Sequence, residues 1–260
     1  MAELLVGSWN INSIRMRIER VTAWLAERKP AVACFQETKT EDTSFPFSEI
    51  EAAGYRAIAL GQKSYNGVAL VSLDQPAPLA RGLDRDLEGG DARLLAARVK
   101  DVAVYSLYVP NGGDGEGEKY DYKRRWLESL FEHVTTTHQP DDPVLLCGDF
   151  NIAADERDVH DVDQWEGSAL YNDEMRGMLQ RLLAWGFVDT FRLHCADDAI
   201  YSWWDYRQLA FPKNMGLRID YVLATRPLAE RCRAASIDRP YRKGKKPSDH
   251  APVLASFDWP

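Results

Sequence analysis

The sequence predicts a mixed α/β fold, and three observations carry that prediction. Short apolar runs recur from one end of the chain to the other, amphipathic segments stand between them, and some runs follow one another with only a turn between. Apolar runs of about 4–8 residues bounded by polar or Gly/Pro punctuation read as strands. They cover residues 4–9, 31–35, 67–72, 94–99, 102–109, 144–148, 219–224 and 252–257. Spacings of three and four mark helices with one buried face. Such spacings join Ile18, Val21 and Leu25 within 16–28, Trp126, Leu127, Leu130, Phe131 and Val134 within 119–137, and Met175, Met178, Leu179, Leu182 and Leu183 within 172–185. Runs 94–99 and 102–109 meet at Lys100-Asp101 as a hairpin, which disfavours a purely parallel doubly wound sheet. The Gly-Gly-Asp-Gly-Glu-Gly segment at 112–117 is too short for a domain linker, and there is no internal repeat, so residues 1–260 read as one domain.

Composition bounds the function. The 260 residues are 45% apolar, 11% aromatic and 28% charged, too apolar for a disordered chain and too interrupted for a membrane span of about 18 residues. The N-terminus has an acid at Glu3 and a short apolar stretch, unlike a signal or transit peptide. Cys34, Cys147, Cys195 and Cys232 lie far apart without a C-x-x-C pair, the usage of reduced, mostly buried thiols in a cytoplasmic protein. The net charge of −8 argues against a partner held by global positive charge, because nonspecific nucleic-acid binding needs Lys and Arg to displace phosphate counterions.

Polar residues that strands do not need collect at the run ends. Asn10 and Asn12 follow the first run, Gln36 and Glu37 the second, Asn111 the run ending at Val109, and Asp149 and Asn151 the run ending at Gly148. Asp220 sits inside the 219–224 run, and Asp249-His250 precedes the last. Asn and Asp are ordinary turn formers, and a single such residue means little. Six such places together, brought to one rim of a sheet, make an oxygen-rich acidic pocket with one imidazole, and hard oxygen donors suit Mg²⁺ or Mn²⁺.

The strings Trp9-Asn10-Ile11-Asn12, Phe35-Gln36-Glu37-Thr38-Lys39, Tyr108-Val109-Pro110-Asn111-Gly112, Gly148-Asp149-Phe150-Asn151, Leu217-Arg218-Ile219-Asp220-Tyr221 and Ser248-Asp249-His250-Ala251-Pro252 carry a resemblance. In this order they resemble the exonuclease III family of abasic-site endonucleases, its bacterial branch in particular, over nearly the whole chain. Each string alone is weak, and the six together are specific. The resemblance implies a four-layered α/β sandwich, two mixed and largely antiparallel sheets face to face with helices outside. It also implies Mg²⁺-dependent phosphodiester hydrolysis, with Mn²⁺ able to substitute, on double-stranded DNA carrying abasic sites or 3′ ends, by a monomer with no membrane attachment.

Phosphodiester cleavage needs a cation, a positioned water and donors to the phosphoryl oxygens. By the resemblance, Glu37 with Asn10, Asn12 and Asp249 holds the metal, while Asp149 deprotonates the attacking water and Asn151 fixes it or holds a second ion. His250 donates to a phosphoryl oxygen and Asp220 holds its other nitrogen. Tyr108 and Asn111 contact the phosphate, and either Tyr108 or metal-bound water supplies the leaving-group proton. Trp203, Trp204 and Leu217 match an apolar slot that receives the extruded sugar of an abasic site. Leu217 and Asn12 resemble the bacterial branch, where the vertebrate enzymes carry Trp and Asp, and this implies a companion 3′→5′ exonuclease and 3′-end trimming. Ser13 departs from the family's usual Gly.

Charge is uneven along the chain. Residues 239–246 hold five cations and no acid just before Asp249-His250, and Lys123, Arg124 and Arg125 form a smaller cluster. Lys243, Lys245 and Lys246 are thereby expected to track phosphates. Two other readings share the motifs: a phosphatase or phosphodiesterase acting on inositol phosphates or lipids, and a non-catalytic nucleic-acid-binding regulator. Retention of Glu37, Asp149, Asn151 and His250 argues against the second.

Overall fold

The computed structural model describes residues 2–83 and 90–259 and places twelve strands and seven α-helices among them. In chain order these are β1 (Ala2–Asn10), α1 (Ile14–Arg28), β2 (Val32–Gln36), α2 (Phe47–Ala52), β3 (Arg56–Leu60), β4 (Val68–Ser72), β5 (Ala77–Arg81), β6 (Leu94–Val99) and β7 (Val102–Tyr108). There follow α3 (Gly117–Thr137), β8 (Val144–Asp149), α4 (Val162–Trp165), α5 (Asp173–Trp185), β9 (Phe187–Asp189), α6 (Thr190–His194), β10 (Asp220–Thr225), α7 (Arg226–Ala229), β11 (Cys232–Ile237) and β12 (Val253–Trp259).

Two six-stranded sheets form, ordered β11-β12-β1-β2-β4-β3 and β5-β6-β7-β8-β10-β9. Each is mixed and largely antiparallel, with one parallel pair apiece: β1 beside β2 across α1, and β7 beside β8 across α3. Between the sheets lie Val6, Val32, Cys34 and Leu70 from one side and Leu95, Val104, Leu145, Cys147 and Val222 from the other. Trp24 and Leu25 of α1 cover Phe35 and Val71 on the outer face of the first sheet. Leu130 and Val134 of α3 and Leu179 and Leu182 of α5 cover Leu146 and Leu223 on the outer face of the second. The four layers α/β/β/α follow. Along β8, Val144 and Leu146 face the helices while Leu145 and Cys147 face the other sheet. Burial on both faces is why the run is continuously apolar, and each Val or Leu buried this way contributes about 1.5–3 kcal/mol.

The eight runs read as strands are the eight interior strands of the two sheets. The four strands the sequence reading did not find, β3, β5, β9 and β11, are the four sheet edges. Edge strands keep exposed or half-exposed positions, as in β5, so no apolar run marks them, and Pro78 is tolerated there because an edge leaves an N–H unneeded. The three long helices stand where periodicity puts them; Asn172 caps α5 by accepting from Met175 N at 2.9 Å. All four cysteines are free, with Cys34 and Cys147 buried. Among the described residues no helix is long and apolar enough to cross a membrane.

Topology decides where the polar strand ends meet. Because β1 and β2 are parallel, Asn10 and Glu37 emerge at one rim; because β7 and β8 are parallel, Tyr108 and Asp149 do the same in the second sheet. β10 runs antiparallel to β8, pairing Asp220 with Asp149, and β12 runs antiparallel to β1. Their N-terminal ends therefore bring Asp220 and His250 to that same rim.

Candidate active site

Asn10 is the hinge of the site. Its Nδ2 donates to Glu37 Oε1 at 2.8 Å and to Asp149 Oδ2 at 2.9 Å, bridging the two sheets and drawing two carboxylates together. Its Oδ1 accepts from Asn12 N at 3.1 Å, so Asn10 orients the carboxylates and turns its amide nitrogen, not its oxygen, toward them. Gln36 bridges the sheets just below through Ser8 and Ser106 at 3.1 and 3.2 Å. Glu37 sits at φ 50° and Asn151 at φ 50°, in the left-handed region that a Glu rarely adopts, and such strain gathers where side chains must be aimed. Gly148 lets β8 lie close to β7: a Cβ there would stand 2.0 Å from Leu107 O.

His250, 3% exposed, is clamped between carboxylates. Its Nδ1 donates to Asp220 Oδ2 at 2.9 Å and its Nε2 faces Asp149 Oδ2 at 3.7 Å. Burial works against the imidazolium, but Asp220 and Asp149 outweigh it and raise the His250 pKa to about 10. Burial pushes Asp149 up to about 7, with Asp220 and Glu37 adding to the effect and His250 opposing it. Ser202 holds Asp220 by donating to its Oδ2 at 2.6 Å, while Ser202 Oγ accepts from Asp220 N at 3.1 Å.

Burial also raises the Tyr108 phenol well above its ordinary value, reinforced by Glu37 and Asp149 and opposed by Arg93. The Arg93 guanidinium lies 4.7 Å from the centre of the Tyr108 ring. Asn111 donates to Asn151 Oδ1 at 3.1 Å, and Asn151 in turn donates to Val109 O at 2.9 Å. The Asn151 backbone N–H meets Asp149 Oδ1 at 2.9 Å, so Asn151 fixes the direction of that carboxylate.

The six residues assigned to a metal thus fall into separate groups. Glu37 and Asp149 converge with His250, their ligand atoms all within 4.8 Å of one another, and Asn10 ties the two carboxylates. Asn12 and Asp249 pair with each other at 3.0 Å, Asp249 also accepting from Trp203 Nε1 at 3.2 Å. Asn151 is engaged with Asn111 and with backbone. Paired hard carboxylates are the donor set that fits a divalent cation of the Mg²⁺ type.

The apolar residues separate likewise. Trp203 and Leu217 share a small cluster with Val159, Leu170 and Ile219 beside His250. Trp204 does not join it: the ring is fully buried with Tyr201, Ala210 and Ala251 and gives its N–H to Asn214 at 3.2 Å, a packing role that leaves no surface for a substrate.

The basic residues divide between surface and interior. Lys243, Lys245 and Lys246 are exposed, but Arg242 is buried against the Tyr206 and Phe211 rings and Arg239 lies over Phe211. Lys123 is fully buried and donates to the carbonyls of Asn111, Asn151 and Ala169 at 3.2, 2.6 and 2.6 Å, while Arg124 pairs with Glu174. Sequence reasoning gave no role to Lys39, which sits 2.8 Å from Glu37 Oε2 and 2.7 Å from Asn12 Oδ1, nor to Ser202 or Arg93. Lys39 does stand inside one of the six strings, and Ser202 stands next to Trp203; Arg93 had no signal.

Residues 7–250 match the model of the endonuclease/exonuclease/phosphatase family. Exodeoxyribonuclease III of Haemophilus influenzae is 34% identical over 96% of this chain and 98% of its own. An AP endonuclease from Archaeoglobus fulgidus superposes with a TM-score of 0.95 at 38% identity, covering 98% of this chain and 100% of that one. A 3′ phosphatase from Neisseria bound to a product DNA hairpin gives 0.94 at 34% identity, covering 98% and 100%. The family match over residues 7–250 and relatives of 34–38% identity along nearly the whole chain show that this chain belongs to the endonuclease/exonuclease/phosphatase family.

Proposed function

We infer that the protein is a DNA repair nuclease that hydrolyses phosphodiesters in double-stranded DNA with Mg²⁺, or Mn²⁺ in its place. It nicks 5′ to abasic sites and trims 3′ ends, acting as a monomer in base excision repair. The observation that carries this is the single Asn10 amide holding Glu37 and Asp149 together beside the His250–Asp220 pair. The names and substrates of the relatives support it.

Glu37 and Asp149 would hold the cation, with Asn12 and Asp249 as a second polar group beside them. When bound, Mg²⁺ supplies positive charge against the phosphoryl oxygens, worth several kcal/mol in the transition state. Asp149, its carboxylate aimed by the Asn151 N–H at 2.9 Å, takes the proton of the attacking water. His250, held as an imidazolium by Asp220, donates to a phosphoryl oxygen. Tyr108 stays protonated and donates toward the departing 3′ oxygen, with Asn111 and Asn151 keeping the loop in register. Lys243, Lys245 and Lys246 track the backbone, on a loop whose own carbonyls, Lys243 O among them at 2.9 Å, are tied down by Arg20.

The test is one incubation of the purified protein with a duplex carrying a single abasic site, beside an inositol polyphosphate, with Mg²⁺ and with chelator. Mg²⁺-dependent strand scission without release of inositol-bound phosphate is expected. Phosphate release from the inositol compound and an intact duplex would replace this reading with the phosphatase one.

A further inference from the structure

Where α3 ends over the start of β7, side chains enclose a cavity of about 270 Å³. Ala103, at one end of β7, lines it, whereas Tyr108 stands in the active site at the other end, five residues and roughly 16 Å of strand away. Strand alternation and helix register place its polar groups. Arg98 faces Ala103 across the β6–β7 hairpin and shares the helix-covered face with Tyr105, while His133 and Thr137 come from the last turns of α3 and His138 follows them. Tyr105, 1% exposed, sets its hydroxyl between two imidazoles, 2.8 Å from His138 Nε2 and 3.4 Å from His133 Nε2. Burial lowers the His138 pKa, with Asp142 opposing and His133 and Arg98 reinforcing. A neutral His138 that accepts from Tyr105 at Nε2 carries its proton on Nδ1. That N–H stands 3.9 Å from Asp142 Oδ2, beyond hydrogen-bond distance, so among the described residues nothing accepts it. Arg98 overhangs the same cavity, exposed and without an ion pair among the described residues.

We propose that this cavity is a binding site for a small organic oxyanion, a carboxylate or phosphate monoester on a short apolar body. Its oxygens take the Arg98 guanidinium and the His138 Nδ1–H, and its body lies against Leu79, Ala103 and Pro143. The planar fork of an arginine matches carboxylate and phosphate alike, which is why both belong to one ligand chemistry. Asp142 is the one carboxylate among the lining residues and is outnumbered by a guanidinium and two imidazoles. At roughly 30 Å³ for each liquid water, the cavity is larger than a bare inorganic ion needs, and its apolar wall gives such an ion nothing. An anion held there favours the imidazolium, so His138 takes up a proton more readily when the site is filled. A polar cluster that only packs α3 onto the sheet makes a different forecast: no solute changes how His138 titrates.

The experiment titrates benzoate, deoxyribose 5-phosphate and inorganic phosphate into the full chain and follows the His138 ring C2–H by proton NMR between pH 5 and pH 8. Chelator is present, so that no probe is drawn to a metal in the active site. Benzoate, deoxyribose 5-phosphate or both are expected to move the His138 signal saturably and to raise the pH at which it titrates. Arg98→Ala is expected to weaken that binding by about tenfold or more, with Arg98→Lys between it and the wild type, because a charged hydrogen bond is lost in one and the fork alone in the other. Arg98 is exposed and lies outside the catalytic machinery, so both variants are expected to fold and to cleave duplex DNA as the wild type does. A His138 signal that no probe moves overturns the proposal, and so does saturable binding that Arg98→Ala leaves unchanged. Binding of inorganic phosphate as tight as that of either organic probe overturns the role given to the apolar wall. None of these results depends on the abasic-site reading.

Discussion

At the residue scale, the site is a set of charges that need one another. The folded His250 pKa of about 10 lies above the ordinary 6.5, so its protonation stabilises the fold, fully below about pH 6.5 and progressively less as pH rises through about 10. In chelated protein the difference in stability between wild type and His250→Gln is therefore expected to shrink between pH 6 and pH 10, as read by denaturant unfolding. A constant difference would show that the carboxylate clamp does not hold the proton. Asp220→Asn removes the largest favourable partner of the imidazolium; cleavage is expected to fall by about 10²–10⁴-fold with duplex binding retained, checked by single-turnover kinetics and a binding titration. Glu37 and Asp149 were legible because their residue types stand out just after apolar runs, Asp220 because a carboxylate stands inside one, and His250 because an imidazole stands just before one. Lys123 stood in the sequence only as part of a cation cluster, because sequence shows charge and not burial; its three carbonyl partners come from three separate loops. Lys123→Met should leave those carbonyls unsatisfied at about 1–3 kcal/mol or more, measured by urea unfolding.

At the scale of elements, apolar patterning revealed the strands that are buried on both faces and missed those at the edges, where one face meets water. It also missed short helices such as α4, whose single turn is too brief for a period to show. The connection from β8 to α5 and that from α6 to β10 are joined by a buried ion network. Arg218, 1% exposed, pairs with Asp158 at 2.7 Å and Asp189 at 2.8 Å, and Arg192 joins Asp158 from α6. Breaking a buried pair by removing one partner is costly because a charge is left uncompensated. Asp158→Asn is expected to destabilise the protein by about 3–5 kcal/mol in denaturant unfolding. The loop at 243–246 makes the opposite kind of contribution. Its lysines are exposed, and replacing Lys243, Lys245 and Lys246 with Ala should leave stability unchanged while weakening duplex binding. The salt dependence of that binding should flatten by about one unit of slope for each phosphate that is no longer neutralised. An unchanged slope would return these lysines to a merely solvated face.

At the scale of the whole molecule, the net charge of −8 conceals a division. Acids gather at the rim where Glu37, Asp149, Asp220 and Asp249 meet, and three exposed lysines lie on the loop just before Asp249. The fold explains how the chain builds such a rim: two parallel strand pairs deliver their C-terminal ends to it, and two antiparallel strands start there. That convergence was foreseen from the six strings, but the bridging of both sheets by Asn10 and Gln36 was not, because it depends on sheet packing that no local pattern encodes. Productive DNA binding against this overall charge should depend on the cation and on low or moderate salt. The decisive measurement uses a duplex with one abasic site, labelled in turn at each end of the damaged strand, and incubated with Mg²⁺ and wild type or Asp149→Asn. One cut is expected immediately 5′ to the abasic residue, leaving a 3′-hydroxyl, abolished by chelator and reduced by orders of magnitude in Asp149→Asn. Cleavage on the 3′ side, or an undiminished rate in Asp149→Asn, would contradict the proposed function.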